Sequence, residues 1–212
     1  MTQDTFTTRP SDLLMRLTDI VISLVLLPFF LPVLLVVTFL ILREDGKPVF
    51  FRQTRIGRGC QPFDMLKFRT MRHDPARASG AVAEGADLKS ARAQFQTASK
   101  SDNRITVTGR ILRSTHLDEL PQLLNVLKGD MSLVGVRPDV PVQQADYTPE
   151  EWEMRHRLRP GITGLAQTDP GGTTAPGSRT RLDLEWVRTR SFGLYVKILL
   201  RTFRNVQGRK GI

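Results

Sequence analysis

Asp118 and Glu119 are adjacent carboxylates, with Pro121 two residues on, inside a stretch from Arg110 to Pro138 that is otherwise rich in Arg, Lys and Gly. A carboxylate serves as nucleophile, general base or magnesium ligand, and basic side chains around it suit a substrate more negative than the pair itself. Phosphate fits that description. Acidic residues also open helices for capping reasons alone, so the pair does not by itself establish a site. Pro121 is acceptable only within a first helical turn and Gly129 is a stop signal, which predicts a helix from Asp118 to about Leu127. The carboxylates then sit at a helix N-terminus, where free backbone N–H groups and the dipole favour negative charge and help to hold phosphate.

The element that must place this centre is a run from Ile20 to Leu42 without a charged residue, about 23 residues or roughly 35 Å as a helix. Its length suits a bilayer. A secretory signal has a shorter apolar region and a small-residue cleavage site after it, and nothing beyond Leu42 supplies one, so the segment is expected to stay attached. Pro28 and Pro32 fall mid-run, where each removes a hydrogen-bond donor and crowds the preceding turn, predicting a kink or break. Arg9 and Arg16 precede the run, and Arg43, Lys47, Arg52, Arg55 and Arg58 follow it, so the positive-inside rule favours the cytoplasm for both ends. A re-entrant hairpin satisfies both preferences, while a single span with a proline kink remains open because such spans tolerate proline.

The 212 residues leave one soluble domain beyond the membrane run. A net charge of +10 implies an anionic partner without choosing among lipid headgroups, nucleotide phosphates and nucleic acid. The one cysteine, Cys60, excludes an internal disulfide, and with three scattered histidines it offers no zinc pattern. Cys60 reads as a turn residue.

Ser11 and Asp12 start the helix that carries Arg16 and Asp19 one turn apart, with Asp19 marking where the chain meets the membrane. Val49 to Ile56 and Phe63 to Arg69 read as two strands joined at Gly57, Arg58 and Gly59, with Lys67 and Arg69 on one face. His73 to Asn103 reads as a surface excursion with a weak helix near Leu88 to Phe95. Thr148, Pro149, Glu150 and Glu151 form a capping box opening a helix that ends at Arg159, Pro160 and Gly161, and its Trp152 suits a membrane interface. A last helix from about Leu194 to Val206 aligns Lys197, Arg201 and Arg204 beside Tyr195, Ile198, Leu199 and Phe203, a pattern suited to anionic lipid.

Taken in order, the membrane segment, Pro48 to Gly57 with Gln53 and Arg55, Lys67-Phe68-Arg69-Thr70-Met71, Arg110 to Pro138 and Arg159 to Gln167 resemble the bacterial sugar transferases, the monotopic phosphoglycosyl transferases. The densest match runs through Thr108-Gly109-Arg110, Leu117-Asp118-Glu119-Leu120-Pro121, Lys128-Gly129-Asp130-Met131-Ser132 and Gly135-Val136-Arg137-Pro138.

The resemblance implies an α+β, mostly helical monotopic membrane protein. A proline-broken re-entrant helical hairpin over residues 1–46 would anchor a cytosolic catalytic domain over residues 47–212, with a small β-hairpin and interfacial amphipathic helices. It implies transfer of a sugar 1-phosphate from a UDP-sugar to polyprenyl (undecaprenyl) phosphate, with release of UMP, on the cytoplasmic face of the bacterial inner membrane, beginning surface glycan or exopolysaccharide synthesis. Asp118 would be the nucleophile of a covalent phosphosugar intermediate, Glu119 its assistant, and Mg2+, with Asp118 as a ligand, would neutralise the diphosphate. Lys67, Arg69, Arg137, Pro138, Arg159 and Gln167 would bind substrate. Membrane phospholipids are expected partners and nucleic acid is not, because no nucleic-acid motif accompanies the charge.

Three departures qualify the resemblance. Val136 stands where the family pattern has proline, which predicts a less rigid loop under Arg137 and is the support for an alternative, an inactive membrane scaffold recruiting glycan-assembly enzymes. Leu165-Ala166-Gln167 and Thr168-Asp169-Pro170-Gly171-Gly172 replace a Trp-Ala-Gln and Asn-Gly-Arg pattern, with a stretch to Ser178 that reads equally as lid or surface loop. Asp183 and Trp186 keep part of a pattern in which Glu185 is unusual.

Overall fold

A computed structural model describes residues 9–72, 87–95, 102–169 and 177–208. Most of the 73–103 excursion and most of the 168–178 stretch lie outside the described residues.

Helix α1 spans Pro10–Asp45, 36 residues and about 54 Å if straight. Proline at its first position loses only an N–H that has no helical partner there, and Arg9 N donates to Asp12 Oδ2 at 2.9 Å. Of the expected kink or break, the break is absent: Pro28 and Pro32 both lie inside this one helix. Each proline forfeits a single hydrogen bond, and the apolar turns around it continue the rest.

Strands β1 (Phe50–Ile56) and β2 (Pro62–Phe68) form the expected antiparallel hairpin, with Phe50 opposite Phe68 and Ile56 opposite Pro62. Gly59 and Cys60 turn the chain between them, both at positive φ, so Cys60 is the turn residue it was read to be. Helices α2 (Leu88–Gln94) and α3 (Val107–Thr115) follow; Asp87 and Thr106 cap them with side-chain oxygens. Next come α4 (Gln122–Lys128), β3 (Ser132–Val134), α5 (Pro149–Arg155), β4 (Gly161–Thr163), α6 (Leu165–Thr168), α7 (Ser178–Thr189) and α8 (Phe192–Gly208). Strands β3 and β4 pair in parallel.

The expected capping box opens α5, with Glu151 N donating to Thr148 Oγ1 and Thr148 N to Glu151. The helix ends at Arg155 rather than at Arg159, because His156 turns back and its ring Nδ1 lies 2.7 Å from the carbonyl of Trp152. Trp152 is not an interfacial side chain: it is buried between Tyr147 and His156.

Two apolar clusters hold the fold. The larger joins Met15 of α1 to Val126, Met131, Trp186, Tyr195 and Ile198, with Ile22, Leu26 and Leu27 of α1 packed on it. The smaller joins Val37 and Ile41 of α1 to Phe68 and Leu112, with Val33 and Leu34 against it. Pro28, Phe29, Leu31 and Pro32, between those two sets, are exposed.

Polar contacts reinforce both arms of α1. On the first, Arg16 donates to the carbonyls of Val126 and Leu127 at the end of α4, and Asp19 accepts from Ser132 Oγ, Leu133 N and Tyr195 Oη. On the second, Glu44 accepts the N–H groups of Val107 and Thr108 at the start of α3, and Asp45 pairs with Arg69.

Candidate active site

The carboxylate pair lies one step earlier than its sequence suggested. His116 ends α3 in the left-handed region at φ 58°, and Leu117–Glu119 form a 3-10 turn before Pro121 caps α4. Asp118 and Glu119 therefore occupy the turn that feeds α4, not its first helical turn. The hairpin supplies their cation: Lys67 Nζ on β2 donates to Glu119 Oε1 at 2.7 Å.

Asn125 sets this register. Its Oδ1 accepts from Leu66 N at 2.9 Å and its Nδ2 donates to the Asp64 carbonyl at 2.8 Å, so α4 occupies the free edge of β2 as a further strand would. Arg113 of α3, which the sequence reading had not singled out, donates to Thr70 Oγ1 at 2.9 Å and lies near enough to Asp118 to affect its ionisation.

A small pocket opens beside Glu119, which lines it with Arg55, Lys67, Gln122, Arg137 and Pro138 among others; Asp118, one residue earlier, is not part of its lining. Its charge is three cations against one anion, the balance a phosphate-bearing ligand requires. Arg137 is exposed on a loop held by backbone bonds: Gly135 N donates to the Thr163 carbonyl, Gly161 N to Val136 and Ile56 N to Asp139. A Cβ on Gly161 would fall 2.0 Å from Gly135 N, so this approach needs glycine for space. Val136 does not leave the loop loose, since its side chain is buried in the larger cluster and its carbonyl is bonded.

The two carboxylates are driven apart electrostatically. Burial raises the pKa of Asp118 and neighbouring Glu119 adds to the rise, against partial opposition from Lys67 and Arg113. Burial acts on Glu119 in the same direction, but the charge and hydrogen bond of Lys67, with Arg137 and His116, overcome it and lower its pKa. The two carboxylates at this turn are thus unequal: Glu119 is stabilised as an anion and Asp118 is destabilised as one. Its carboxylate takes no ion pair or side-chain hydrogen bond among the described residues, and desolvation dominates.

A family model described as bacterial sugar transferase matches residues 10–209. The chain belongs to the bacterial sugar transferase family. The UDP-glucose:undecaprenyl-phosphate glucose-1-phosphate transferase of Caulobacter vibrioides is 42% identical over 198 residues, covering 90% of this chain and 68% of that protein. The exopolysaccharide production protein PSS of Rhizobium leguminosarum bv. phaseoli is 40% identical, covering 89% and 92% of the two chains. The UDP-N-acetylgalactosamine-undecaprenyl-phosphate N-acetylgalactosaminephosphotransferase of Aeromonas hydrophila is 34% identical, covering 89% of this chain and 42% of that protein.

Within this sugar transferase, the substrate-binding residues expected from sequence divide into two groups. Lys67, Arg137 and Pro138 meet at the pocket. Arg69 does not: beyond the end of β2, it is buried and donates to the carbonyls of Asp45 and Gly46, closing the end of α1. Arg159 donates through Nε to the Gly129 carbonyl at 2.7 Å, so it caps the end of α4 opposite the carboxylates, near Arg16 and Arg58. Gln167 lies on α6 with Oε1 beside Gly164, and both of its amide atoms are buried without a hydrogen-bond partner among the described residues.

Behind the Arg137 loop of the sugar transferase, Arg155 is fully buried between Asp139 and Asp183, at 2.8 and 2.6 Å. It is the largest fully buried side chain of α5, and it ties α5 and α7 to the residue after Pro138. Asp183 is therefore structural here, and Trp186 beside it belongs to the core. Among the described residues no three or more His, Cys, Asp or Glu gather as a metal cage. Magnesium commonly takes only one or two carboxylates and completes its shell with waters and substrate phosphates; of this pair Glu119 is already paired to Lys67 and Asp118 is not.

Proposed function

We propose that this sugar transferase moves a sugar 1-phosphate from a UDP-sugar to undecaprenyl phosphate and so starts the assembly of a bacterial polysaccharide. Support comes from the family, from the substrates in its relatives' names and above all from one contrast: Glu119 is paired to Lys67, whereas Asp118 beside it takes no ion pair.

In this reading an Asp118 carboxylate oxygen attacks the sugar-bearing phosphorus. The bridge to the other phosphorus breaks and UMP leaves, with the sugar phosphate held on Asp118 as a mixed anhydride. A phosphate oxygen of the lipid then attacks the same phosphorus and frees the Asp118 carboxylate. An anionic nucleophile approaching a diphosphate needs cations in place beforehand. Lys67 and Arg137 line the pocket where that charge arrives. Asp118 would hold magnesium, which neutralises diphosphate charge when bound.

The membrane reading follows from α1, the one described helix long and apolar enough to cross a bilayer. Both of its arms pack on the same domain, while its centre, with Leu24, Val25, Phe29 and Leu31, is exposed. A straight span would carry its ends to opposite faces of the membrane. The packing favours a re-entrant helix, and the basic residues on both flanks of the run favour the cytoplasmic side for the domain. Exposed Val107, Ile111 and Leu124, with Leu200 and Phe203 of α8, would rest at the lipid surface.

The test is UMP release by protein in nanodiscs supplied with undecaprenyl phosphate, magnesium and a panel of UDP-sugars, with Asp118→Asn as control. Release from at least one donor that vanishes in the variant is expected. Equal release by the variant would sink the assignment of Asp118, and silence across the panel from folded wild type would favour the scaffold reading. A tag on the N-terminus that reacts from the periplasm would rule out re-entrance.

A further inference from the structure

We propose that Arg55 is a positioning residue that aims Arg137 at the diphosphate of the donor. This inference rests on the transfer reading above. Arg55 lies next to the end of β1, and its guanidinium is committed on three nitrogens. Nε and Nη2 donate to Gln53 Oε1 at 3.1 and 2.7 Å, and Nη1 donates to the Pro138 carbonyl at 2.9 Å. The next residue, Ile56, donates its N–H to the Asp139 carbonyl at 2.9 Å. The end of β1 is thereby stitched to the two residues that follow Arg137.

The contrast with Arg137 decides the role. Arg137 is exposed, lines the same pocket, and takes no ion pair or side-chain hydrogen bond among the described residues, so its direction comes from the backbone beneath it. On the near side that backbone is tied through Gly135 and Val136 to β4; on the far side it is tied through Pro138 to Arg55. A long, rotamer-rich cation gains catalytic value when its base is fixed, because misplacement by about 1 Å costs roughly 100-fold in rate.

The placement of Arg55 also carries an electrostatic cost. Burial, and then Arg137, push its pKa down to about 10. Asp139 and Glu119 offset only part of this, and the fork geometry accounts for the residue type: a planar guanidinium holds Gln53 on one edge and Pro138 on another, which an ammonium cannot match.

The test is a double-mutant cycle on the full chain in nanodiscs, reading kcat and KM for UMP release, UDP affinity by calorimetry, and Tm. Arg55→Lys keeps the charge and loses the fork. It is expected to lower kcat/KM by about 10-fold to 100-fold, mainly through kcat. Gln53→Ala, which leaves Arg55 in place but unclamped, should act in the same direction. Arg137→Lys combined with Arg55→Lys should be little worse than Arg137→Lys alone. Wild-type rates in Arg55→Lys, or losses that multiply in the double variant, would overturn the proposal while wild-type turnover keeps the transfer reading intact. If wild type releases no UMP, the transfer reading fails, and the same cycle is read from UDP affinity: non-additive losses support the aiming role, and additive losses or no UDP binding overturn it.

Discussion

Lys67 Nζ reaches Glu119 Oε1 at 2.7 Å across 52 positions of sequence, and in doing so it selects between two neighbouring carboxylates. Glu119 receives the hydrogen bond and a lowered pKa; Asp118, one residue earlier, is left to desolvation and a raised one. The pair therefore contains one carboxylate held in place and one poorly stabilised as an anion, a division that suits a positioned partner and a reactive nucleophile.

Asp118→Asn is expected to abolish UMP release, by roughly 1000-fold or more, and to raise Tm at neutral pH. A group whose folded pKa lies above its unfolded value contributes stability that is full below the unfolded pKa and is lost as pH rises through the folded one. Charged Asp118 thus weakens the native state at neutral pH, and asparagine relieves it. Thermal melts of both proteins at pH 7 and near pH 4 check this: the gain should shrink in acid, and a variant less stable at pH 7 would contradict the assignment.

The acid limb of kcat/KM should lie above the ordinary carboxylate range, because transfer requires Asp118 unprotonated. Lys67→Met removes a cation that holds both carboxylates down, so the limb should move to higher pH while the maximal rate falls about 100-fold. A pH–rate profile of the variant superimposing on that of wild type would show that Lys67 has no electrostatic part in the reaction.

Arg137 and Arg159 should separate cleanly. Arg159→Ala removes a charged cap from the Gly129 carbonyl and should cost about 1.5–3 kcal/mol of stability with KM for the donor near wild type. Arg137→Ala should leave Tm unchanged and lower kcat/KM by roughly 100-fold. Reversal of the two patterns in urea melts and steady-state kinetics would place Arg159 in the pocket after all.

Arg155→Leu should destabilise the fold by about 3–5 kcal/mol, since it strands Asp139 and Asp183 as buried carboxylates. Chemical denaturation measures it directly. A loss below about 1 kcal/mol would mean that the two aspartates find other partners, Arg179 being the nearest candidate.

Local signals carried much of this fold. Alternation and glycine marked the β1–β2 hairpin, Thr148-Pro149-Glu150-Glu151 marked the start of α5, and Gly129 marked the end of α4. Each is a short-range effect of backbone freedom or capping, readable without tertiary contacts. What escaped depended on partners far away in the chain. Arg69 and Arg159 have the residue type of phosphate ligands, but the carbonyls at the ends of α1 and α4 claim them. Trp152 looked interfacial until Tyr147 and His156 enclosed it. Arg113 was given no role, and Arg55 stood only as a flanking charge and a family residue, because what a basic residue does in a basic chain shows only when Thr70 or Pro138 is seen opposite it.

The helix read as a membrane anchor is also an internal beam of the catalytic body. Removing residues 1–46 to obtain a water-soluble enzyme would take Met15, Val37 and Ile41 out of the two clusters, roughly 1.5–3 kcal/mol each, against a total stability of about 5–15 kcal/mol for a typical domain. It would also strand Arg69 and Tyr195 without Asp45 and Asp19. Solubility and integrity are therefore opposed in this chain, and shortening it from the front should yield aggregation rather than a simplified catalyst.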